Sequence, residues 1–319
     1  VPADGNQHSK EAIPMRVLDA TATADLLGYQ RVADAVAEVI GLERQGRTQA
    51  PPRGVMALPE DGTLLLMPAT DGEVAITKLV TVHPRNGARQ LPTIQGEMSV
   101  MDAATGRRLA LVDGATVSAR RTAAVSLLAA QRLAPRTDTP LFVYGAGTQA
   151  RVHIEAFREG FGTDTVYLYS RTRERAESLA EHARRLGMRA QVVSDPQQAL
   201  AECRLVVAAT TATRPILPER LPEDTFVAAV GAFRPHMAEL PPQLVASGAV
   251  VIDTEDGARD EAGDLIQAAE QGAFRWSDAL ELAAVICDGH RPAGGPVLFK
   301  SVGQSLWDLA AGRVIAKAL

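Results

Sequence analysis

Gly145, Gly147 and Ala150 stand in LFVYGAGTQARVHIEAF at the spacing G-x-G-x-x-A. In a turn from strand to helix, the first glycine permits the tight bend and the second lets a pyrophosphate approach the backbone. The small third residue lets the helix pack closely on the strand. Main-chain amides at the helix start, aided by the helix dipole, then face the phosphates, which places Ala146, Thr148 and Gln149 in the same cradle. The next apolar run ends in LYSRTRER, where Ser170 occupies the place of an acidic ribose ligand and Arg171 and Arg173 follow. A hydroxyl and two guanidinium groups suit a 2′-phosphate, so NADP(H) is the expected cofactor and NAD(H) the second choice. Thr210 and Thr211, in VVAATTATRPIL, are expected near the nicotinamide ribose.

Three cations stand apart from this motif. Arg53, Lys78 and Arg121 interrupt apolar strands or open a buried-looking helix, although each taken singly reads as a solvated surface position. The stretch FVAAVGAFRPHMAEL is an apolar run aimed at the cofactor, and it ends in Gly231, Ala232 and then Phe233. Phenyl can neither give nor take a proton. Further on, His236 and Glu239 could supply one in principle, but an exposed imidazole and a structurally paired carboxylate are the plainer readings. His83, His153, His182 and His290 show no ligand spacing, and no metal is expected.

The elements that must position these residues change character near residue 120. Before it, RGVMALPEDGTLLLMPA, EVAITKLVTVHP and MSVMDAATGRRLALVD are β-branched or apolar runs cut by turns, so residues 53 to 113 read as an antiparallel or mixed sheet. Ahead of that sheet, TATADLLGYQRVADAVAEVIGLERQG has helical spacing, with Leu27, Val32, Val36 and Ile40 on one face. GATVSARRTAAVSLLAAQRLA, residues 114 to 134, reads as a long helix. From there strands and helices alternate to about residue 290, which demands parallel pairing. The fold class is therefore α/β: a doubly wound parallel Rossmann-type sheet plus a discontinuous α+β domain. The expected boundaries are 1–121 for that domain, with 296–319 packing back on it as an amphipathic helix, and 122–295 for the NAD(P)-binding domain.

Composition sets the outer limits. A chain of 319 residues with 46% apolar content can bury two cores. Its 33 basic and 38 acidic residues leave a net charge of -5 with no basic stripe, which gives no footprint for nucleic acid. Cys203 and Cys287 lack metal spacing and read as reduced thiols. No apolar run is long enough to span a bilayer, and VPADGNQHSKEA is too polar for a secretory signal and reads as a flexible lead-in. A cytoplasmic protein without membrane or nucleic-acid partners is expected.

PPRGVM, AITKLV, LPTIQGEMSVMDAATGRRLALVDGATVSARRTAA, VYGAGTQA, VVAATTATRPIL, AVGAFRPHMAEL, DEAGDL and LFKSVG occur in this order along almost the whole chain. In them the sequence resembles the ornithine cyclodeaminase/μ-crystallin family. The resemblance implies that Arg53, Lys78 and Arg121 surround a substrate carboxylate, that Thr93 lies beside substrate and nicotinamide, and that the protein is a homodimer whose discontinuous α+β domain is the substrate-binding and dimerisation domain. Ornithine cyclodeaminases of the family carry an aspartate in a G-[AG]-D-x-P-G-[KR]-x-E-L frame; here that position is Phe233. Cyclodeamination needs a base for the ammonium protons, whereas reduction of a protonated cyclic imine needs only a hydride. The expected activity is thus NAD(P)H-dependent reduction of Δ1-pyrroline-2-carboxylate to L-proline, with Δ1-piperideine-2-carboxylate as a six-membered alternative. Lys78 is the expected group for polarisation or proton transfer, and Phe233 the expected wall of the ring pocket. Ornithine cyclodeaminase, an alanine-dehydrogenase-like activity and a non-catalytic NADP-dependent binding protein are the rival readings.

Overall fold

The computed structural model describes residues 15–319, so the lead-in expected for VPADGNQHSKEA lies outside the described residues. Two sheets organise the chain. The smaller contains β1 (Arg16–Leu18), β2 (Gly54–Leu58), β3 (Gly62–Thr70), β4 (Val74–Val82), β5 (Ile94–Asp102) and β6 (Arg108–Asp113), in the order β1-β6-β5-β4-β3-β2. From β2 to β6 it is an antiparallel meander, and β1 joins β6 in parallel. The expected hairpin turn at EDG is present, with Glu60 and Asp61 both at positive φ, the hand that matches strand twist.

Three helices precede the larger sheet: α1 (Ala20–Leu26), α2 (Tyr29–Arg44) and α3 (Gly114–Leu133). The single helix expected over the first stretch is broken at Gly28, which caps α2, yet Leu27, Val32, Val36 and Ile40 are all fully buried as their spacing requires. Asp113 starts α3 by accepting a hydrogen bond from the Thr116 amide at 2.7 Å, a side-chain N-cap.

The larger unit runs β7 (Leu141–Tyr144), α4 (Thr148–Phe161), β8 (Thr165–Tyr169), α5 (Arg173–Arg185), β9 (Arg189–Val192), α6 (Pro196–Leu200), β10 (Leu205–Ala208) and β11 (Phe226–Ala229). It continues through α7 (Pro242–Ser247), β12 (Ala249–Ile252), α8 (Glu255–Glu261), α9 (Gly263–Glu270), β13 (Leu280–Glu281), α10 (Leu282–Cys287), β14 (Val297–Lys300) and α11 (Ser305–Ala318). Every strand pair is parallel, in the order β13-β12-β14-β11-β10-β7-β8-β9. The order reverses direction at β7, as in a doubly wound sheet. β7, β10, β11 and β14 are buried along their whole length, which is why they read as continuous apolar runs rather than alternating ones.

One segment departs from the sequence reading. Residues 296 to 319 were expected to leave the α/β unit without a strand, but Val297–Lys300 form β14 between β11 and β12. The run VLFK is too short to separate from a helix by period. Only α11 packs back, against α2, α3, β3 and β4. Gly312 allows that approach, since a Cβ there would stand 2.5 Å from Ile76 Cγ2. α3 lies between the two sheets, touching β5 on one side and β11 and β14 on the other. The opposite face of the smaller sheet is half open, with Met56 and Leu79 exposed beside Leu64 and Leu66.

Candidate functional site

The chain leaves β7 through Gly145, whose φ of +107° is a glycine conformation. A Cβ there would also overlap the Ala209 carbonyl, so position 145 is fixed twice over. Beyond it a cavity of about 290 Å³ opens at the carboxyl ends of β7, β8 and β10, the crevice at which open parallel sheets bind ligands. Gly145, Ala146, Gly147, Ser170, Arg171, Thr210 and Thr211 line it, as the sequence indicates. A Cβ on Gly147 would meet nothing within 4 Å, so the turn is open on the side a pyrophosphate would approach. Thr148 and Gln149 begin α4 just behind this lining. Arg173 is placed elsewhere: its Nη2 reaches Glu177 at 3.2 Å along the exposed side of α5. The second cation of the cavity is Arg175. Two residues rotate a helix by about 200°, so Arg173 and Arg175 point to opposite sides, and counting along LYSRTRER could not choose between them. These residues fit a nicotinamide dinucleotide.

Beyond the carboxyl end of β14, on the same edge of the larger sheet, the three singled-out cations do assemble. Ile76, Lys78 and Val80 share the core face of β4. There Lys78 is 1% exposed and sets its Nζ 2.6 Å from Asp308 Oδ2 on α11. Arg121 on α3 places Nε 3.0 Å from Asp308 Oδ1. Arg53, just before β2, donates from Nη2 to the Gly303 carbonyl at 2.8 Å and pairs through Nη1 with Glu261 at 3.2 Å. Burial pulls the Lys78 ammonium down to about 8, with Asp308 opposing that fall and Arg121 and Arg53 adding to it. Glu261 is raised above the usual carboxylate range by burial, with Arg53 countering.

The turn after β14 ties this cluster to the larger sheet. Asp253 Oδ2 accepts from Ser301 Oγ at 2.8 Å, the Val302 amide at 3.0 Å and the Gly303 amide at 2.6 Å. Gly303 has φ +80°, and a Cβ there would lie 2.5 Å from Arg121 Nη1. The stretches FKSVG and DEAGDL therefore act through Gly303 and Glu261, which sequence reasoning quoted without assigning. Asp308 was missed altogether. It shares the buried part of α11 with Leu306 and Leu309, but the same helix also carries Arg313 and Lys317, so a charge there did not stand out.

Phe233 follows β11 and is 39% exposed, with the Arg234 guanidinium 5.8 Å from its ring centre. The loop that carries it is braced from below. Glu239 is fully buried, accepting from the Thr210 amide and hydroxyl at 2.6 and 2.8 Å and from the Gly231 amide at 2.7 Å. Its carboxyl is raised by burial, partly offset by Lys300. Asp264 accepts from the Glu239 and Leu240 amides and pairs with Lys300 at 2.8 Å. Glu239 thus has a structural place, and His236 is exposed. Thr93 is exposed one residue before β5; its neighbour Ile94 pairs with Val82, four residues along β4 from Lys78. The structure does not bring Thr93 into the cation cluster. Among the described residues no group of three or more His, Cys, Asp or Glu could hold a metal ion, and no helix is long and apolar enough to cross a membrane.

A dinucleotide cleft at the switch point of a Rossmann-type sheet, with Lys78 of a second sheet and Arg121 of α3 buried against one carboxylate, defines a two-sheet NAD-binding α/β protein. The chain belongs to the ornithine cyclodeaminase/mu-crystallin family, whose model matches residues 15–319. It is 36% identical over 306 residues to the Delta(1)-pyrroline-2-carboxylate/Delta(1)-piperideine-2-carboxylate reductase of Azospirillum brasilense, covering 96% of each chain. The structure of Thermococcus litoralis Delta(1)-pyrroline-2-carboxylate reductase in complex with NADH and L-proline superposes with a TM-score of 0.87 at 27% identity, covering 95% of this chain and 97% of that one. An archaeal alanine dehydrogenase dimer with bound NAD superposes with a TM-score of 0.85 at 27% identity over 95% of each chain.

Proposed function

We propose that this protein is an NAD(P)H-dependent reductase of cyclic α-imino acids, converting Δ1-pyrroline-2-carboxylate to L-proline and Δ1-piperideine-2-carboxylate to L-pipecolate. The observation that carries the reading is the buried Lys78–Asp308–Arg121 cluster, with one positive charge in excess, tied to the carboxyl end of β14 on the same sheet edge as the dinucleotide cleft, while Phe233 follows β11, the strand between β14 and β10. Arg121 and Arg53 grip the substrate carboxylate, because a guanidinium matches its two oxygens. Lys78 stands beside them as the proton donor to the imine nitrogen, and a positioned acid of this kind contributes about 10²–10⁴-fold. Reduced nicotinamide, when bound, supplies the hydride that C2 of the imine accepts. Phe233 walls the ring and excludes water, and offers no base for deamination.

The finer assignments rest on the same residues. Arg171 and Arg175, with Ser170 in place of an acid, favour NADP(H) over NAD(H). The half-open face bearing Met56, Leu64, Leu66 and Leu79 suits an isologous homodimer. The reduced state of Cys203 and Cys287 suits the cytoplasm.

The deciding experiment follows NADPH absorbance with Δ1-pyrroline-2-carboxylate, alongside NADH formation from L-ornithine. Rapid oxidation with the imine and little turnover of ornithine are expected. No oxidation with either imine would refute the proposal. Efficient wild-type turnover of ornithine would remove the argument from Phe233.

A further inference from the structure

We propose that Asp308 is a positioning residue for the reaction: it holds Lys78 as an aimed ammonium ion and turns the outer edge of the Arg121 guanidinium toward the substrate. The inference rests on the reductase reading and adds the residue that makes its proton donor work.

Three cations converge on one place, Lys78 and Arg121 buried and Arg53 half-buried. Lys78 is faced by Asp308 from α11, Arg121 from α3 and Arg53 from the segment before β2. Its cross-strand neighbours are Met67 on β3 and Met98 on β5, neither of which titrates. Asp308 is the single carboxylate among the described residues within ion-pair distance of Lys78. Without it, burial and two guanidinium groups would all favour the neutral amine, and a neutral amine cannot protonate an imine.

Asp308 itself is consumed by this task. It is fully buried, with Oδ2 on Lys78 and Oδ1 on Arg121 Nε. That leaves no face for a ligand, so it is not a catalytic residue. Since Nε of Arg121 is engaged, the guanidinium can meet a carboxylate only through Nη1 and Nη2. Gly303 packs against that same edge, and only glycine leaves room there.

The chemical step balances with Asp308 as a spectator. An Nζ–H bond of Lys78 breaks as the N–H bond of the iminium forms. A hydride from NADPH or NADH then forms the new C–H bond at C2, so the imine is reduced and the nicotinamide oxidised. Lys78 recovers its proton from water after release of the amine product.

The test compares pH profiles of kcat for the unaltered enzyme, Asp308→Asn, Asp308→Glu and Lys78→Met. In the unaltered enzyme kcat should fall as pH rises through about 8. In Asp308→Asn the alkaline limb should move down by about one pH unit or more, so the deficit is roughly twofold at pH ~7, approaches tenfold above pH ~9 and vanishes toward pH ~6 as Lys78 regains its proton. Asp308→Glu should restore part of the upper limb, and Lys78→Met should be low at every pH. A deficit in Asp308→Asn that is the same at all pH values would reduce Asp308 to a structural role and overturn the proposal; so would a kcat in the unaltered enzyme that stays flat above pH ~8, a measurement that holds even if both Asp308 variants fail to fold. Should the unaltered enzyme reduce neither imine, the activity is refuted, and Asp308 is then judged by calorimetric binding of pyrrole-2-carboxylate. That anion should bind more weakly above pH ~8, and from lower pH in Asp308→Asn; identical pH dependence in the two would overturn the assignment.

Discussion

The dinucleotide cleft and the cation cluster are built in opposite ways. The cleft is built around a backbone turn, Gly145 to Gly147, and its remaining lining comes from the ends of β8 and β10, the segments just after them and Arg175 on α5. The cluster is made of side chains drawn from Arg53, Lys78, Arg121, Glu261 and Asp308, which span most of the chain. A backbone site depends on local conformation and tolerates exposure to water. A side-chain site of buried charges depends on every partner at once, because an ion left alone in the interior costs several kcal/mol. The first kind fails gradually and the second abruptly.

Lys78→Met is the sharpest way to break that contrast. It should lower kcat/KM for the imine by about 10³-fold while leaving the NADPH dissociation constant within about twofold, measured by fluorescence titration. A comparable loss of NADPH affinity would mean that the two sites are not separable. Next in size is the seam between them, where His153 on α4 meets Ser126 on α3. Its Nδ1–H donates to the Gln149 carbonyl at 2.7 Å, so Nε2 accepts from the Ser126 hydroxyl at 2.9 Å. Burial lowers this imidazole to about 4, with the Gln149 carbonyl opposing. A depressed histidine stays neutral in the folded state while the unfolded chain takes a proton. Its contribution is therefore complete above the unfolded value of about 6.5 and is lost as pH falls toward 4, by roughly 3 kcal/mol. Urea unfolding across that window should show the loss, and His153→Gln should flatten it.

Gly145→Ala should act on the backbone site alone, weakening NADPH binding roughly 30-fold through the strained turn, with the imine-binding cluster retained. The smallest effect sharpens the comparison within the cleft. Arg175→Ala should lower the ratio of NADPH affinity to NADH affinity about tenfold, whereas Arg173→Ala should change it less than twofold. Equal effects would mean that helix phase does not decide which guanidinium serves the cofactor.

The same contrast governs what could be read from the sequence. Gly145, Gly147, Ser170, Arg171 and the threonines after β10 were legible as neighbours in one cleft because their places follow from residues close by in the chain. Arg175 was not, since only the phase of α5 tells it from Arg173. Arg53, Lys78 and Arg121 were legible as oddities and gained meaning through family resemblance. Asp308 had no such route: its partner Lys78 is far away in sequence, and nothing local distinguishes a buried charge on α11 from a solvated one. Among the elements, long periodic helices and the early hairpins were plain. The break at Gly28 and the four-residue β14 were hidden because short apolar runs carry no decisive period.

β14 also bears on the order in which the molecule can be assembled. β11 and β12 do not pair with each other; each pairs with β14, which lies between them. A chain synthesised only as far as Pro296 would carry two unpaired strand edges in the middle of its sheet, the kind of surface that recruits other chains. The four residues Val297–Lys300 act as a keystone, arriving after nearly everything they hold together. Mutations that weaken them should appear first as lost soluble yield during expression, before any change in catalysis is measured.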